Sequence, residues 1–253
     1  MTTIKAVLLD LSGVLYEGTT ALPGSVAAVN TLRASGYVLR FLTNTASLSA
    51  QQIIKQLDVM GFAVQEAELF SAPLAARNYA QEHALNPYCL VHKNIQSDFA
   101  CFHSATHDAV ILADAGDDLN YANLNYAFQL CQAGAPLIAV GNNRYYMANG
   151  KLQLDVGAFV QGLAFASGQQ PLIMGKPDAA FFLTAVHSTG FSADECLMVG
   201  DDAINDIQGA LDAGLQACLV QSGKYQAGDE QHIQPAPLLK KNLLDLVNSL
   251  PQI

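Results

Sequence analysis

Short apolar runs that alternate with amphipathic stretches of helical length restrict this chain to an α/β architecture. Ala6 to Asp10, Val38 to Thr43, Leu172 to Met174, Cys196 to Gly200 and Ala217 to Val220 read as strands. Pro23 to Ser35, Ser49 to Met60, Asp178 to Thr189 and Asn205 to Ala213 read as the helices between them. That alternation is the signature of βαβ units wound around a parallel sheet. Gly36 and Gly61 stand where helices would stop, and Pro23 would occupy a first helical turn.

After Phe70 the character changes. A helix over Pro73 to His83 leads into short strand-like runs at Tyr88 to Val91 and Ala109 to Leu112, then a helix over Tyr121 to Gln132, a strand over Pro136 to Val140 and a helix over Ala158 to Ala166. The pattern predicts a doubly wound core of residues 1–71 and 170–253, interrupted by a smaller α/β unit of residues 72–169. The chain is expected to end in a helix over Leu238 to Leu250.

Composition narrows the class of function. Hydrophobic residues make up 51% and charged residues 13% of the 253, which excludes a disordered chain. No apolar run reaches the roughly 18 residues of a membrane span. The N-terminus runs directly into a strand without the features of a secretory leader, so a cytoplasmic protein is expected. A formal net charge of −10, with twelve Lys and Arg in no basic stripe, argues against a nucleic-acid partner. Five scattered cysteines without a Cys-x-x-Cys pair suggest neither a disulfide framework nor a thiolate metal site. The six histidines, His103 among them, show no metal-ligand spacing.

The residues that close the apolar runs carry the chemistry. Asp10, followed by Ser12-Gly13, ends the first strand, so its carboxylate projects from the edge where open α/β sheets bind ligands. Thr43-Asn44 ends the second and offers a hydroxyl and backbone amides to an anion. Lys176 sits in Gly-Lys-Pro between a strand and a helix. Asp201 and Asp202 follow a strand, with Asp206 one turn on, and these carboxylates suit a hard cation. Each has a plain alternative: Asp10 as a turn cap, Thr43 as a helix cap, Lys176 as a surface charge, and the paired aspartates as helix N-terminal acids. Four such features in order at strand ends point instead to phosphoryl transfer through a carboxylate, with a divalent cation.

The combination resembles the haloacid dehalogenase (HAD) superfamily of phosphohydrolases. The inserted unit, lying between Thr43 and Lys176, looks like the large α/β cap of the nitrophenylphosphatase-like class, class IIA. Leu9-Asp10-Leu11-Ser12-Gly13-Val14-Leu15-Tyr16, Ala113-Asp114-Ala115-Gly116, Arg144-Tyr145-Tyr146, Leu154-Asp155-Val156-Gly157 and Ser222-Gly223-Lys224-Tyr225 resemble the branch of phospholysine, phosphohistidine and inorganic pyrophosphate phosphatases. The resemblance implies that Asp10 attacks phosphorus. Mg²⁺ would be held by Asp10, the carbonyl of Ser12 and Asp201, while Asp206 and Asp202 support its waters or Lys176. Thr43 and the amide of Asn44 would hold the phosphate oxygens. A homodimer through the cap is implied in the same way.

The chain departs from the pattern at Ser12, where most phosphatases of the superfamily carry an Asp that protonates the leaving group. A serine hydroxyl cannot surrender a proton at neutral pH, so ordinary alkyl phosphates should turn over slowly. Phosphoramidates and phosphoanhydrides suffer least from this loss. Arg144 and Tyr145, near the end of the cap, are candidates to grip a leaving group on a small phosphorylated substrate. A phosphate-sensing or protein-binding member of the same fold is the competing expectation. A dinucleotide-binding domain is disfavoured because no Gly-x-Gly-x-x-Gly follows any strand.

Overall fold

A computed structural model describes residues 2–102, 104–148 and 151–251; His103 lies outside them. Strand β1 (Ala6–Asp10) is followed by a hairpin of β2 (Tyr16–Glu17) and β3 (Thr20–Ala21), then α1 (Ser25–Ala34), β4 (Val38–Thr43), α2 (Ala50–Val59) and β5 (Leu69–Ser71). Helix α3 (Ala72–Glu82), β6 (Pro87–Leu90), β7 (Ala109–Leu112), α4 (Tyr121–Gln132) and β8 (Leu137–Ala139) lead to a second hairpin, β9 (Tyr145–Ala148) with β10 (Lys151–Leu154). Helix α5 (Gly157–Ser167) and β11 (Leu172–Ile173) come next. The last elements are α6 (Ala179–His187), β12 (Cys196–Gly200), α7 (Gly209–Asp212), β13 (Gln216–Val220), β14 (Leu238–Lys240) and α8 (Leu243–Val247).

The chain divides into two compact units: Met1–Thr43, Gln51–Phe70 and Lys176–Ile253 form the first, and Asn44–Ala50 with Ser71–Gly175 form the second. In the first, six strands lie in the order β14-β13-β12-β1-β4-β5. Strand β1 is buried along its whole length, as its unbroken Ala-Val-Leu-Leu run requires of a strand covered on both faces. It pairs in parallel with β4 on one side and β12 on the other. The chain therefore winds outward from β1 to β5 and then returns to the opposite side of β1. That reversal creates a crevice at the carboxyl ends of β1 and β12, the usual ligand position in such sheets.

Helix α1 shows how the first unit closes on this sheet. Ser25, Ala28, Val29 and Leu32 are its buried residues, a spacing that lines one helical face. Ser25 Oγ donates to the carbonyls of Leu15 and Leu22 at 2.8 and 2.7 Å, so the one polar residue on that face is satisfied. The helix begins at Ser25 with Gly24 as its cap, which leaves Pro23 outside it, not in its first turn.

In the second unit four strands lie in the order β11-β8-β7-β6, with parallel pairing throughout. Alternation along β7 feeds two cores. Ala109 and Ile111 pack with Ala72, Ala76 and Ala80 of α3, whereas Val110 and Leu112 pack with Ala127 and Cys131 of α4 and with Val160 and Leu163 of α5. Such two-sided cover is what a fully apolar parallel strand demands.

The C-terminal region differs from expectation. Leu238–Lys240 is not helical but pairs in parallel with β13, in the register Cys218↔Leu238 and Val220↔Lys240. Helix α8 starts only at Leu243, where Asn242 caps it by accepting from the Asp245 amide at 2.9 Å. A Leu-Leu pair fits either period. The unfilled edge of β13 decides between them.

Candidate active site

The register of the core sheet assembles the site. Asp10 is level with Leu42 of β4, and Leu9 with Val199 of β12. Thr43 and Asp201 consequently stand one residue beyond Asp10's level on its two flanks. Asp10, Thr43, Lys176, Asp201 and Asp206 are all buried, an expensive concentration of charge unless the groups pair. Residues 44–49 separate Thr43 from α2, so Thr43 is a strand-end hydroxyl and not a helix cap.

Lys176 supplies the pairing. Its ammonium forms an ion pair with Asp10 Oδ1 and stands 2.6 Å from Asp206 Oδ1. Burial works against the charged amine, but the two carboxylates outweigh it and hold its pKa above the ordinary lysine value. Asp10, Asp201 and Asp206 bring one carboxylate oxygen each within 4.8 Å of one another.

With three carboxylates around one ammonium, two groups hold protons to unusually high pH. Burial lifts the Asp10 carboxyl to about 7; Lys176 opposes this, and the neighbouring Asp206 and Asp201 add to it. Burial likewise raises Asp201 to about 6, against the pull of the Lys224 amide. Titration shifts of this size occur where carboxylates share a site.

Asp202 is placed differently from its neighbours. Its Oδ1 accepts from the Ile204 and Asn205 amides at 3.2 and 2.9 Å, and its Oδ2 from Asn205 Nδ2 at 2.9 Å. Its role is to cap a π-helix, Ala203–Gln208, and among the described residues it does not join the carboxylate cluster. Although burial opposes ionisation, these bonds hold its carboxyl below the usual range. The π-helix carries the buried Asp206; helices of this wider turn recur at functional sites.

Ser12 is exposed, and its backbone bridges to that of Tyr16. The Gly13 amide donates to the Tyr16 carbonyl at 2.8 Å, closing the loop after Asp10. Gly13 has φ +87°, and a Cβ there would lie 2.0 Å from Asp201 Oδ2. Only glycine lets the loop approach that carboxylate so closely.

Asn44 belongs to the second unit, as do Arg144 and Tyr145. These last two are exposed and line a groove of about 700 Å³ with Leu152 and Leu154 of β10 and Gln161 of α5. Ser222-Gly223-Lys224 carries no role that its sequence alone reveals. In the structure the Lys224 amide donates to Asp201 Oδ2 at 2.7 Å.

A doubly wound sheet presenting buried aspartates and a lysine at its topological switch point defines a Rossmann-like hydrolase core. The haloacid dehalogenase-like hydrolase family profile matches residues 7–103, and a second HAD-hydrolase-like profile matches residues 173–246. Haloacid dehalogenase-like hydrolase domain-containing protein 2 of Bos taurus is 40% identical over 236 residues, 93% of this chain and 91% of its own. The phospholysine phosphohistidine inorganic pyrophosphate phosphatase of Xenopus laevis is 39% identical over 236 residues, 90% of this chain and 87% of its own. The glycerol phosphate phosphatase of Mycobacterium tuberculosis, solved in complex with magnesium, superposes with a TM-score of 0.82 at 25% identity, covering 98% of this chain and 78% of its own. The chain belongs to the haloacid dehalogenase-like hydrolase family.

Proposed function

We propose that this protein is a Mg²⁺-dependent phosphohydrolase that passes a phosphoryl group through Asp10 to water, acting on pyrophosphate or on phosphoramidates such as phospholysine and phosphohistidine. The observation that carries this reading is the buried ammonium of Lys176 held between Asp10 and Asp206, with Asp201 completing the cluster. The kinship with phosphatases acting on such bonds supports the substrate class.

The donor set fits a hard divalent cation. It offers carboxylate oxygens and no sulfur or imidazole, the preference of Mg²⁺. Asp10, Asp201 and the backbone carbonyl of Ser12 would hold the ion, with Asp206 supporting from behind. When bound, the cation supplies positive charge that offsets the repulsion between a carboxylate and a phosphate dianion.

In this reading Asp10 attacks phosphorus in line. The bond from phosphorus to the leaving oxygen or nitrogen breaks with its electron pair, and an aspartyl-phosphate forms. Water then attacks the same phosphorus, releasing inorganic phosphate, the Asp10 carboxylate and a proton to solvent. Lys176 holds the nucleophile and offsets charge on the transferring group. The Thr43 hydroxyl, at the strand end beside Asp10, steadies a non-transferring oxygen. Without an acid at position 12, the leaving group takes its proton from solvent or needs none, which favours P–N and P–O–P bonds.

A panel of pyrophosphate, phospholysine, phosphohistidine and p-nitrophenyl phosphate, assayed with Mg²⁺ and with EDTA, tests the proposal beside Asp10→Asn. Hydrolysis by the wild type that needs Mg²⁺ and disappears in the variant is expected. Turnover that survives in Asp10→Asn, or no turnover of any substrate by the wild type, would overturn it; the second result favours a phosphate-sensing protein.

A further inference from the structure

The segment after β13 has no part in the chemistry just described, yet it touches two of the elements that would surround the cation. Ser222 Oγ donates to the Gly13 carbonyl at 2.6 Å, and the Lys224 amide donates to Asp201 Oδ2 at 2.7 Å. Between them Gly223 takes φ +60°, where a Cβ would fall 2.1 Å from Asp201 Oδ2 and 2.5 Å from the Gly13 Cα. Oδ2 is thus held close against the backbone of both segments.

The geometry points to Ser222-Gly223-Lys224 as a strap that fixes the nucleophile loop against Asp201 and thereby sets the affinity for the cation. The inference rests on the cation reading given above. In the absence of the strap, the loop bearing the Ser12 carbonyl and the side chain of Asp201 would each have to be ordered by the ion itself. Part of the binding free energy would be consumed in doing so. Groups that orient metal ligands through hydrogen bonds typically change metal affinity about 10- to 100-fold when removed. Ser222 is accordingly a positioning residue: its hydroxyl bonds the Gly13 carbonyl, and its effect is on how firmly Mg²⁺ is held.

Isothermal titration of the protein with Mg²⁺ alone tests this in wild type, Ser222→Ala and Ser222→Thr. Ser222→Ala is expected to bind Mg²⁺ about 10-fold more weakly, with its kcat on p-nitrophenyl phosphate recovering at saturating Mg²⁺. Ser222→Thr keeps the hydroxyl and should restore the affinity. Unchanged Mg²⁺ affinity in Ser222→Ala overturns the inference, as does a kcat that stays low at saturating metal with affinity intact. If Ser222→Ala fails to fold, Ser222→Cys, a weaker donor of similar size, carries the same comparison. Failure of the wild type itself to bind Mg²⁺ would sink the proposed function, a result distinct from failure of the strap alone.

Discussion

Lys176 Nζ stands 2.6 Å from Asp206 Oδ1, with neither side chain more than 5% exposed. The two residues come from different elements: Lys176 from the loop before α6, and Asp206 from the π-helix after β12. Their contact, with the second ion pair to Asp10, links the strand-end carboxylate to the helix that follows Asp201. A buried ammonium between two carboxylates is a fixed charge, held in place before any ligand arrives. That is the form of preorganisation on which electrostatic stabilisation of a transferring phosphoryl group depends.

Replacing Lys176 with Met should abolish hydrolysis and destabilise the metal-free protein. Removing one partner of a buried ion pair leaves uncompensated charge, typically worth about 3–5 kcal/mol. Because the Asp10 carboxyl holds its proton up to about 7 even with the ammonium present, the orphaned carboxylates can protonate in mild acid. The stability deficit of Lys176→Met in EDTA should therefore be larger at pH 8 than at pH 5, as measured by thermal unfolding. Equal deficits at the two values would mean that the ammonium does not counter these carboxylates.

Asp206→Asn keeps the volume of the side chain and removes its charge. The ammonium would then be held by Asp10 alone, and the cluster would lose one of its three carboxylates. Mg²⁺ affinity should fall about 10- to 100-fold, the range for groups that support metal ligands. Calorimetric titration with Mg²⁺ reads this directly, and an affinity equal to that of the wild type would remove Asp206 from the metal's surroundings.

Much of this site was legible because Asp10, Thr43 and Asp201 close or follow largely apolar runs. A strand such as Ala6-Val7-Leu8-Leu9 cannot be mistaken for a surface element, and a carboxylate directly after it has few places to go but the sheet edge. The hairpins β2–β3 and β9–β10 escaped notice because two- to four-residue strands are too short to show a period. The Leu-Leu step of Leu238–Lys240 matches the helix period as well as the strand period, and only the open edge of β13 selects a strand. Asp202, next to Asp201, reads in the sequence as one more carboxylate near the cation. Its diversion to helix capping depends on the π-turn of residues 203–208, which no local pattern announces. Ser222 had no visible role because its partner, Gly13, lies 209 positions away.

Metal-free protein should lose stability as pH rises from about 4 to 7. In the folded state Asp10 and Asp201 keep protons to about 7 and 6, whereas unfolded aspartates release them near 4. The stability these protons contribute is complete below the unfolded value and gone above the folded one. Lys176, held above its ordinary value, stays charged across this window and does not mask the effect. Mg²⁺ needs the carboxylates ionised, so its binding competes with the protons. The rise in Tm produced by Mg²⁺ should be greater at pH 8 than at pH 5, and Asp10→Asn should flatten the pH dependence in EDTA. A Mg²⁺ effect that is the same at both pH values would contradict the titration assigned to these two groups.

Ser12→Asp tests the proposed preference for substrates with P–N and P–O–P bonds. Ser12 is exposed two residues beyond Asp10, so a longer side chain there has solvent to extend into. A carboxylic acid at that point can protonate a departing alkoxide, a form of help typically worth about 10²- to 10⁴-fold in rate. The gain should be confined to poor leaving groups. Alkyl phosphates should be hydrolysed faster by Ser12→Asp, while p-nitrophenyl phosphate, whose phenolate departs without a proton, should change little. Plotted against leaving-group pKa, log kcat/KM should fall steeply for the wild type and more gently for the variant. Parallel lines would show that proton donation at position 12 does not limit the wild type, and the proposed preference for phosphoramidates and phosphoanhydrides would lose its basis.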